Sequence, residues 1–485
     1  MANDAKATKF TLKVMVNRHK TKVLFAEVDS DFADVLLSFL TMPLGKIVRV
    51  LKKHYGEDVN IGSLTTLCDG LSNLDSVHFC TNGCKEMLLN PRSTFERDCR
   101  KLKLDIHETH STKYFLCDNL NCGQSRISMY YDTATCICGK TLKREIDVKE
   151  SEEEAGDGVF TKNTASFLIS DDLRMLPNVS VSIIQDLTNL GITDTDGAEL
   201  MNVTFGFNEI MDLFKGSLLS QTPLTDIILK KRKNIGSTTK EYEAETELRN
   251  KIEKEGVVSE SDKKMKLKVM VQRSTNKLLF AQARDDFVEF LFGLLTVPLG
   301  GVLHCVLGIH SKGLESIYNL YTSLAELIGD RYFFTPDKKT SLMKPLLLGG
   351  CKSKNQILPL TEESRHHKLY YNQEGNPNKE CTVSYNPGNS YRVLYAKGQK
   401  EYIKGTTMFM VSDDLTVKPL SMISTLSKLK EMNIPLSEVR ELEVQIGLQE
   451  VQAISILKAS LTSTFALTDG LMIDPMSKKK VKQEV

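Results

Sequence analysis

Leu12-Lys-Val-Met-Val-Asn-Arg18 is read a second time in the same chain as Leu267-Lys-Val-Met-Val-Gln-Arg273. The register holds without a gap through Leu24-Phe-Ala26 and Leu279-Phe-Ala281, then Asp31-Phe32 and Asp286-Phe287. It continues into Leu40-Thr-Met-Pro-Leu-Gly45 and Leu295-Thr-Val-Pro-Leu-Gly300. The far ends agree too, in Phe167-Leu-Ile-Ser-Asp-Asp-Leu173 against Phe409-Met-Val-Ser-Asp-Asp-Leu415, and in Leu224-Thr-Asp226 against Leu467-Thr-Asp469. Self-similarity on this scale marks a tandem duplication. It also provides a comparison within one molecule: what both copies keep serves the fold, and what one copy alone carries needs another explanation.

Each copy opens with alternation, apolar at Leu12, Val14 and Val16 or Leu267, Val269 and Val271, with Lys13 or Lys268 on the other face. That is a half-buried strand, and the polar interval before the next β-prone run predicts a hairpin. The period then changes. Phe32, Val35, Leu36, Phe39 and Leu40, repeated by Phe287, Phe290, Leu291, Leu294 and Leu295, fall at helical spacing, with Ser30 or Asp31 offered as an N-cap. Pro43 and Pro298 are placed in the first turn of a second helix, which makes Thr-x-Pro-Leu-Gly a helix-to-helix corner. Each half closes with a short strand, an acidic turn, a helix bearing Ile184, Leu187 and Leu190 or Ile423, Leu426 and Leu429, another strand, and a final helix. Strands and helices mix without a βαβ rhythm, so the fold class is α+β.

The 485 residues divide into a first lobe over 9–229, a charged linker over 230–264, a second lobe over 265–473 and a charged tail over 474–485. Each lobe is long enough to bury a core, and a hinge is expected between them. Glu150-Ser-Glu-Glu-Glu-Ala-Gly-Asp-Gly158 is a further polar break. Lys plus Arg (63) nearly cancels Asp plus Glu (62), which excludes a chain-wide basic field for nucleic acid or an anionic membrane. No signal-like or membrane-spanning run is present, so the reading is an intracellular protein, cytoplasmic or nuclear, without a membrane partner. Eleven cysteines in such a chain are best read as reduced thiols.

The chemistry is concentrated in one stretch. Cys117 and Cys122-Gly123, then Cys136-Ile-Cys138-Gly139, form two short cysteine turns separated by Arg126-Ile-Ser-Met-Tyr-Tyr131, whose alternation suits a hairpin. Four thiolates satisfy zinc tetrahedrally, and a glycine after the second cysteine of each pair permits the tight turn that brings backbone N–H groups toward sulfur. Cys117, Cys122, Cys136 and Cys138 are therefore the expected ligands of a structural zinc ion in a zinc-ribbon-like segment over 113–146. The matching region of the second copy offers only Cys381.

Other features carry less. Cys80, Cys84 and Cys99 read as buried or unligated thiols, and His107, His110, His366 and His367 as polar surface. Asp171-Asp172 and Asp413-Asp414 follow apolar strands, where carboxylates serve acid–base or metal chemistry in some enzymes and cap turns and helices in most proteins. Lys230-Lys-Arg-Lys233 and Lys478-Lys-Lys480 are local basic runs. Gly139-Lys140-Thr141 is not a phosphate loop, because Ala134 stands where its first glycine belongs.

The duplicated start, the Leu-Thr-x-Pro-Leu-Gly corner, Leu88-Leu-Asn-Pro-Arg92, Lys113-Tyr-Phe-Leu-Cys117 and the Ser-Asp-Asp-Leu strand ends together resemble the plant-specific family catalogued as domain of unknown function 674. The resemblance covers nearly the whole chain and implies a plant origin and a two-copy architecture. It implies no activity, so no catalytic residue follows from it. The leading expectation is a non-enzymatic binding or scaffold protein with a protein partner. The alternatives are a nucleic-acid adaptor using Lys113, Arg126, Lys140, Lys143 and Arg144 beside the ribbon, and an enzyme using Asp171 and Asp172 or Asp413 and Asp414.

Overall fold

The computed structural model describes residues 8–109, 113–119, 126–146, 158–178, 183–189, 192, 197–229, 265–306, 314–327, 332–363, 370–372, 382–384, 391–392, 394–395, 401–405, 407–447 and 452–471. Cys122, Gly123, His110, His366, His367, Cys381, both basic runs, most of the 150–158 break, the linker and the charged tail lie outside these residues.

The strands in chain order are β1 (Phe10–Val16), β2 (Val23–Asp29), β3 (Tyr114–Cys117), β4 (Arg126–Ile127), β5 (Leu142–Ile146), β6 (Ser166–Ser170), β7 (Met175–Pro177) and β8 (Glu199–Phe205). In the second half they are β9 (Met265–Gln272), β10 (Leu278–Ala283), β11 (Tyr370–Asn372), β12 (Thr382–Ser384), β13 (Tyr391–Arg392), β14 (Leu394–Tyr395), β15 (Phe409–Ser412), β16 (Val417–Pro419) and β17 (Val439–Ile446). Two five-stranded sheets result, ordered β7-β6-β2-β1-β8 and β16-β15-β10-β9-β17, with antiparallel pairing throughout. The molecule is a mixed α+β protein.

The alternation in β1 places Phe10, Leu12, Val14 and Val16 in the core. The first helix, Ser30–Ser38, is capped by Asp29, whose carboxylate accepts the Phe32 N–H at 2.9 Å, rather than by Ser30 or Asp31. Pro43 and Pro298 also sit one position earlier than expected, as extended N-caps of Leu44–Tyr55 and Leu299–Cys305. The Ser-Asp-Asp-Leu ends are three-residue hairpin turns whose last residue is left-handed, Leu173 at φ 63° and Leu415 at φ 62°. That conformation costs a leucine roughly 1–2 kcal/mol. Both side chains are fully buried, and burial worth about 1.5–3 kcal/mol offsets the strain where glycine would offer none.

The expected hinge between independent cores gives way to a shared interior, since one buried apolar cluster runs from Phe10 to Leu471. The two Pro-Leu-Gly corners meet each other. Pro43 and Pro298 form an antiparallel bridge, with Leu44 N–H donating to Val297 O and Leu299 N–H to Met42 O, each at 2.9 Å. Phe79 pairs with Ile403, and Phe333 pairs with Thr161. Around these bridges Cys80 N–H donates to Tyr402 O at 2.8 Å and Phe334 N–H to Phe160 O at 2.9 Å. The Ser63 hydroxyl donates to Ser463 O and the Ser316 hydroxyl to Ser220 O, both at 2.7 Å. Every one of these contacts joins one half to the other.

A second, smaller apolar cluster lies against the second sheet. Met270, Leu279, Phe280 and Met410 on its outer face bury Leu429 of the helix Met422–Glu431. Contrary to the amphipathic reading of that helix, Met422 is 86%, Ile423 78% and Leu426 52% exposed.

Candidate metal centre and the acidic turns

β3 and β5 pair antiparallel in a two-stranded ribbon, and Phe115 also forms an isolated antiparallel bridge to Ser128, just beyond β4, which itself pairs with β14. Cys117 closes β3. Cys136 and Cys138 lie in the opposite turn, where Cys136 N–H donates to Lys140 O at 2.8 Å and Gly139 N–H to Cys136 O at 3.0 Å. Gly139 has φ +83°, a left-handed position suited to glycine, as expected of a tight cysteine turn. The Asn119 N–H points at the Cys117 sulfur at 3.4 Å. Phe115, Ala134 and Leu142 pack with Cys117 and Cys136 in a small apolar cluster separate from the main core.

The sulfurs of Cys117, Cys136 and Cys138 all lie within 4.8 Å of one another, and Cys117 Sγ is 3.4 Å from Cys138 Sγ. Among the described residues this is the one group of three or more such side chains placed to hold a metal ion. Burial pushes the Cys117 thiol up to about 12; the Asn119 N–H opposes the rise, and the Cys138 and Cys136 thiols add to it. Cys117 and Cys136 are buried and Cys138 is exposed, so the centre is reachable from one side. The structure thus brings together three of the four cysteines read from the sequence, and the fourth, Cys122, lies outside the described residues.

Side chains that the spacing alone did not single out dock the ribbon. Arg92, of the Leu-Leu-Asn-Pro-Arg stretch, donates from Nη1 to Met129 O at 3.1 Å and from its backbone N–H to the Tyr130 hydroxyl at 2.5 Å. Its Nε and Nη2 are held by Glu96 at 2.8 and 2.5 Å, and Lys46 lies 3.6 Å from the other oxygen of that carboxylate. Lys46 and Glu96 are both buried. The Thr81 hydroxyl donates to Asp132 O at 2.7 Å, and a Cβ on Gly83 would overlap the Tyr131 carbonyl oxygen. Gly83 was the available signal: a glycine inside the helix Asn82–Leu89 reports a close backbone approach.

The other candidates resolve differently. Cys84 and Cys99 are buried, with Cys84 3.2 Å from the Thr81 hydroxyl and Cys99 3.7 Å from that of Thr41. His107, expected at the surface, is 1% exposed, and burial lowers its pKa to about 4. It is a neutral core histidine beside Asp105 and Lys46.

Asp171 and Asp413 are helix caps. Asp171 accepts from the Thr225 N–H at 2.8 Å and hydroxyl at 2.7 Å, and Asp413 accepts from the same two groups of Thr468 at the same distances. The Leu-Thr-Asp stretches repeated in the sequence supply those threonines. Burial raises the Asp171 pKa from 3.8 to about 6, against the two Thr225 bonds, and burial likewise raises that of Asp413. Asp172 accepts from Ser170 Oγ at 2.5 Å and from Asn319 Nδ2 at 3.0 Å. The turn of Asp171 and Asp172 borders a cleft of about 340 Å³ lined also by Lys22, Arg174 and Glu315.

Fold and site together define a mixed α+β protein carrying a cysteine cluster fit for a metal ion. A family model described as protein of unknown function (DUF674) matches residues 6–449, and the chain belongs to that family. Compared with curated proteins and with solved structures, it has no match. No helix among the described residues is long and apolar enough to cross a membrane.

Proposed function

We propose that the chain is a non-enzymatic intracellular binding or scaffold protein, a tandem duplication of one α+β lobe whose first copy holds a structural zinc ion through Cys117, Cys122, Cys136 and Cys138. The observation that carries this reading is the convergence of three sulfurs within 4.8 Å on a turn with an N–H directed at sulfur. An all-sulfur donor set suits zinc, and four such ligands leave no position for a reacting water, so the ion would staple the ribbon and not catalyse. The duplication is supported by the common strand order of the two large sheets.

A protein partner is favoured over nucleic acid. The described part of the ribbon carries five basic and three acidic side chains, and two of the bases are neutralised locally, Lys113 by Glu145 at 2.7 Å and Lys143 by Asp132 at 3.5 Å. The exposed apolar side chains of the Met422–Glu431 helix are the kind of surface a protein partner covers. An enzymatic role for the aspartate pairs has less support, because both oxygens of Asp171 and of Asp413 are engaged as caps.

Elemental analysis of purified protein tests the metal. About one zinc per chain is expected, with loss in Cys136→Ser. Protein without zinc, or a Cys136→Ser variant that keeps it, sinks the reading.

A further inference from the structure

Many of the contacts between the halves come in matched pairs, while others, such as the parallel pairing of β4 with β14, are made once. With the ungapped register of the sequence repeat, Met42 and Leu44 correspond to Val297 and Leu299, so the two corner hydrogen bonds are one bond made twice in opposite directions. The Phe79–Ile403 bridge has its counterpart in Phe333–Thr161. The flanking bonds match as well: Lys404 N–H to His78 O at 2.8 Å answers Lys162 N–H to Tyr332 O at 3.0 Å. Lys85 holds the carbonyls of Ser72 and Leu74 as Lys339 holds those of Ala325 and Leu327. Asp34, at the register position of Glu289, accepts the Val159 N–H at 2.9 Å and the Thr161 N–H at 2.8 Å; Glu289 accepts the Tyr402 N–H. Thus each half fixes a crossover segment that it then lends to the other.

Self-complementarity of this kind, in which patch i meets j and j meets i, is the signature of a two-fold interface between like units. Both corners depend on close approach. A Cβ on Gly45 would lie 3.2 Å from Leu295 Cβ, and one on Gly300 would lie 3.1 Å from Leu40 O and 2.9 Å from Leu342 O. The bridged segments are buried: Phe79, Phe160, Phe333, Tyr402 and Ile403 are each almost wholly inaccessible. A half standing alone would expose these side chains and lose the bridging hydrogen bonds that its crossover backbone makes to the other half.

We propose that the surface each half presents at the corner and crossover is a recognition site whose partner is a second repeat of the same kind. In this chain the other half fills it in cis, and each half is an incomplete fold without it. This rests on the duplication part of the preceding reading and is independent of the metal. Two globular lobes that merely touch would melt separately; reciprocally exchanged ones melt as a bimolecular complex once the connection is cut.

The test uses the full chain with a specific protease site placed between residues 230 and 264 and an amino-terminal affinity tag. After cutting, the second half is expected to remain with the tagged first half through capture and gel filtration. The melting temperature of the cut protein should rise with its concentration, while that of the uncut protein stays constant. Gly45→Val and Gly300→Val should each release the second half from the cut protein. Lys338→Ala, which removes a 2.5 Å ion pair to Asp98 across the halves, should lower the melting point of the cut protein more than that of the uncut. Release of the second half on cutting alone, or a melting point independent of concentration, overturns the proposal. Retention with only one of the two glycine variants having an effect overturns the reciprocal, repeat-based reading while leaving the zinc reading untouched.

Discussion

Two residues at one register position, Asp34 and Glu289, do one job in the two halves, and so do Asp171 and Asp413. A few steps away the correspondence stops. Lys46 is matched by Gly301 in the register of the corners; in the register that matches Phe79 with Phe333 and Lys85 with Lys339, one residue shorter, Gly83 is matched by Asp337 and Arg92 by Leu346. The shared polar residues tie backbone segments into the common scaffold, whereas the unshared ones lie under or against the cysteine ribbon of the first half. Buried charge in this protein is therefore of two kinds, and substitution should separate them.

The largest effect is expected at Glu96. Its carboxylate serves both the Arg92 guanidinium and the Lys46 ammonium in a site where all three side chains are largely buried. Glu96→Ala leaves two cations without a counter-charge, a change that costs about 3–5 kcal/mol when a buried pair is broken. Denaturant titration should show the loss as a lower midpoint. Lys46→Met in the same background should recover part of it, because a neutral side chain of similar length removes one stranded charge. A Glu96→Ala protein as stable as the parent would mean that the site is wetter than its burial indicates.

Gly83→Ala should follow, at about 1–3 kcal/mol, since the added methyl meets a backbone oxygen that cannot rotate away. Hydrogen exchange should locate the damage in residues 114–146 and not in the second half, where Asp337 already carries a side chain at this position. Equal loss of protection in both halves would erase the distinction drawn between them.

Much of this was legible in the chain. Alternation at Leu12, Val14 and Val16 and the change of period at Phe32 place the hairpin and first helix correctly, because those signals depend on burial along a single element. The cysteine spacing found three converging sulfurs, because a short hairpin brings its own ends together. The pairing of one half with the other was not legible. Pro43 against Pro298 and Phe79 against Ile403 are pairings between distant residues, and no local period encodes which stretch of the chain supplies the partner. His107 was misplaced at the surface for the same reason: its burial comes from elements folded over it, not from its neighbours in sequence. The exposed Met422, Ile423 and Leu426 show the converse, a helical apolar pattern that the intramolecular fold leaves uncovered.

The smallest effect is a change of slope, and it asks whether the shared aspartates act alike. Asp171, raised from 3.8 to about 6 chiefly by burial, holds its proton more tightly in the folded than in the unfolded chain. Its titration therefore contributes stability that is complete below about pH 4 and is lost as the pH rises through about 6. Asp413 is shifted in the same direction by the same cause, so its contribution has the same sign. Asparagine retains an acceptor for the threonine N–H but cannot ionise. Asp171→Asn should accordingly gain stability relative to the parent between pH 4 and pH 6 and run parallel to it above, and Asp413→Asn should do the same over a window set by its own shift. The comparison is read from unfolding free energies of parent and variants at matched pH. A variant whose curve parallels the parent across the whole range would show that the Asp171 carboxylate ionises as freely in the fold as outside it. The common cap would then be a solvated turn and not a buried fastening of the last helix.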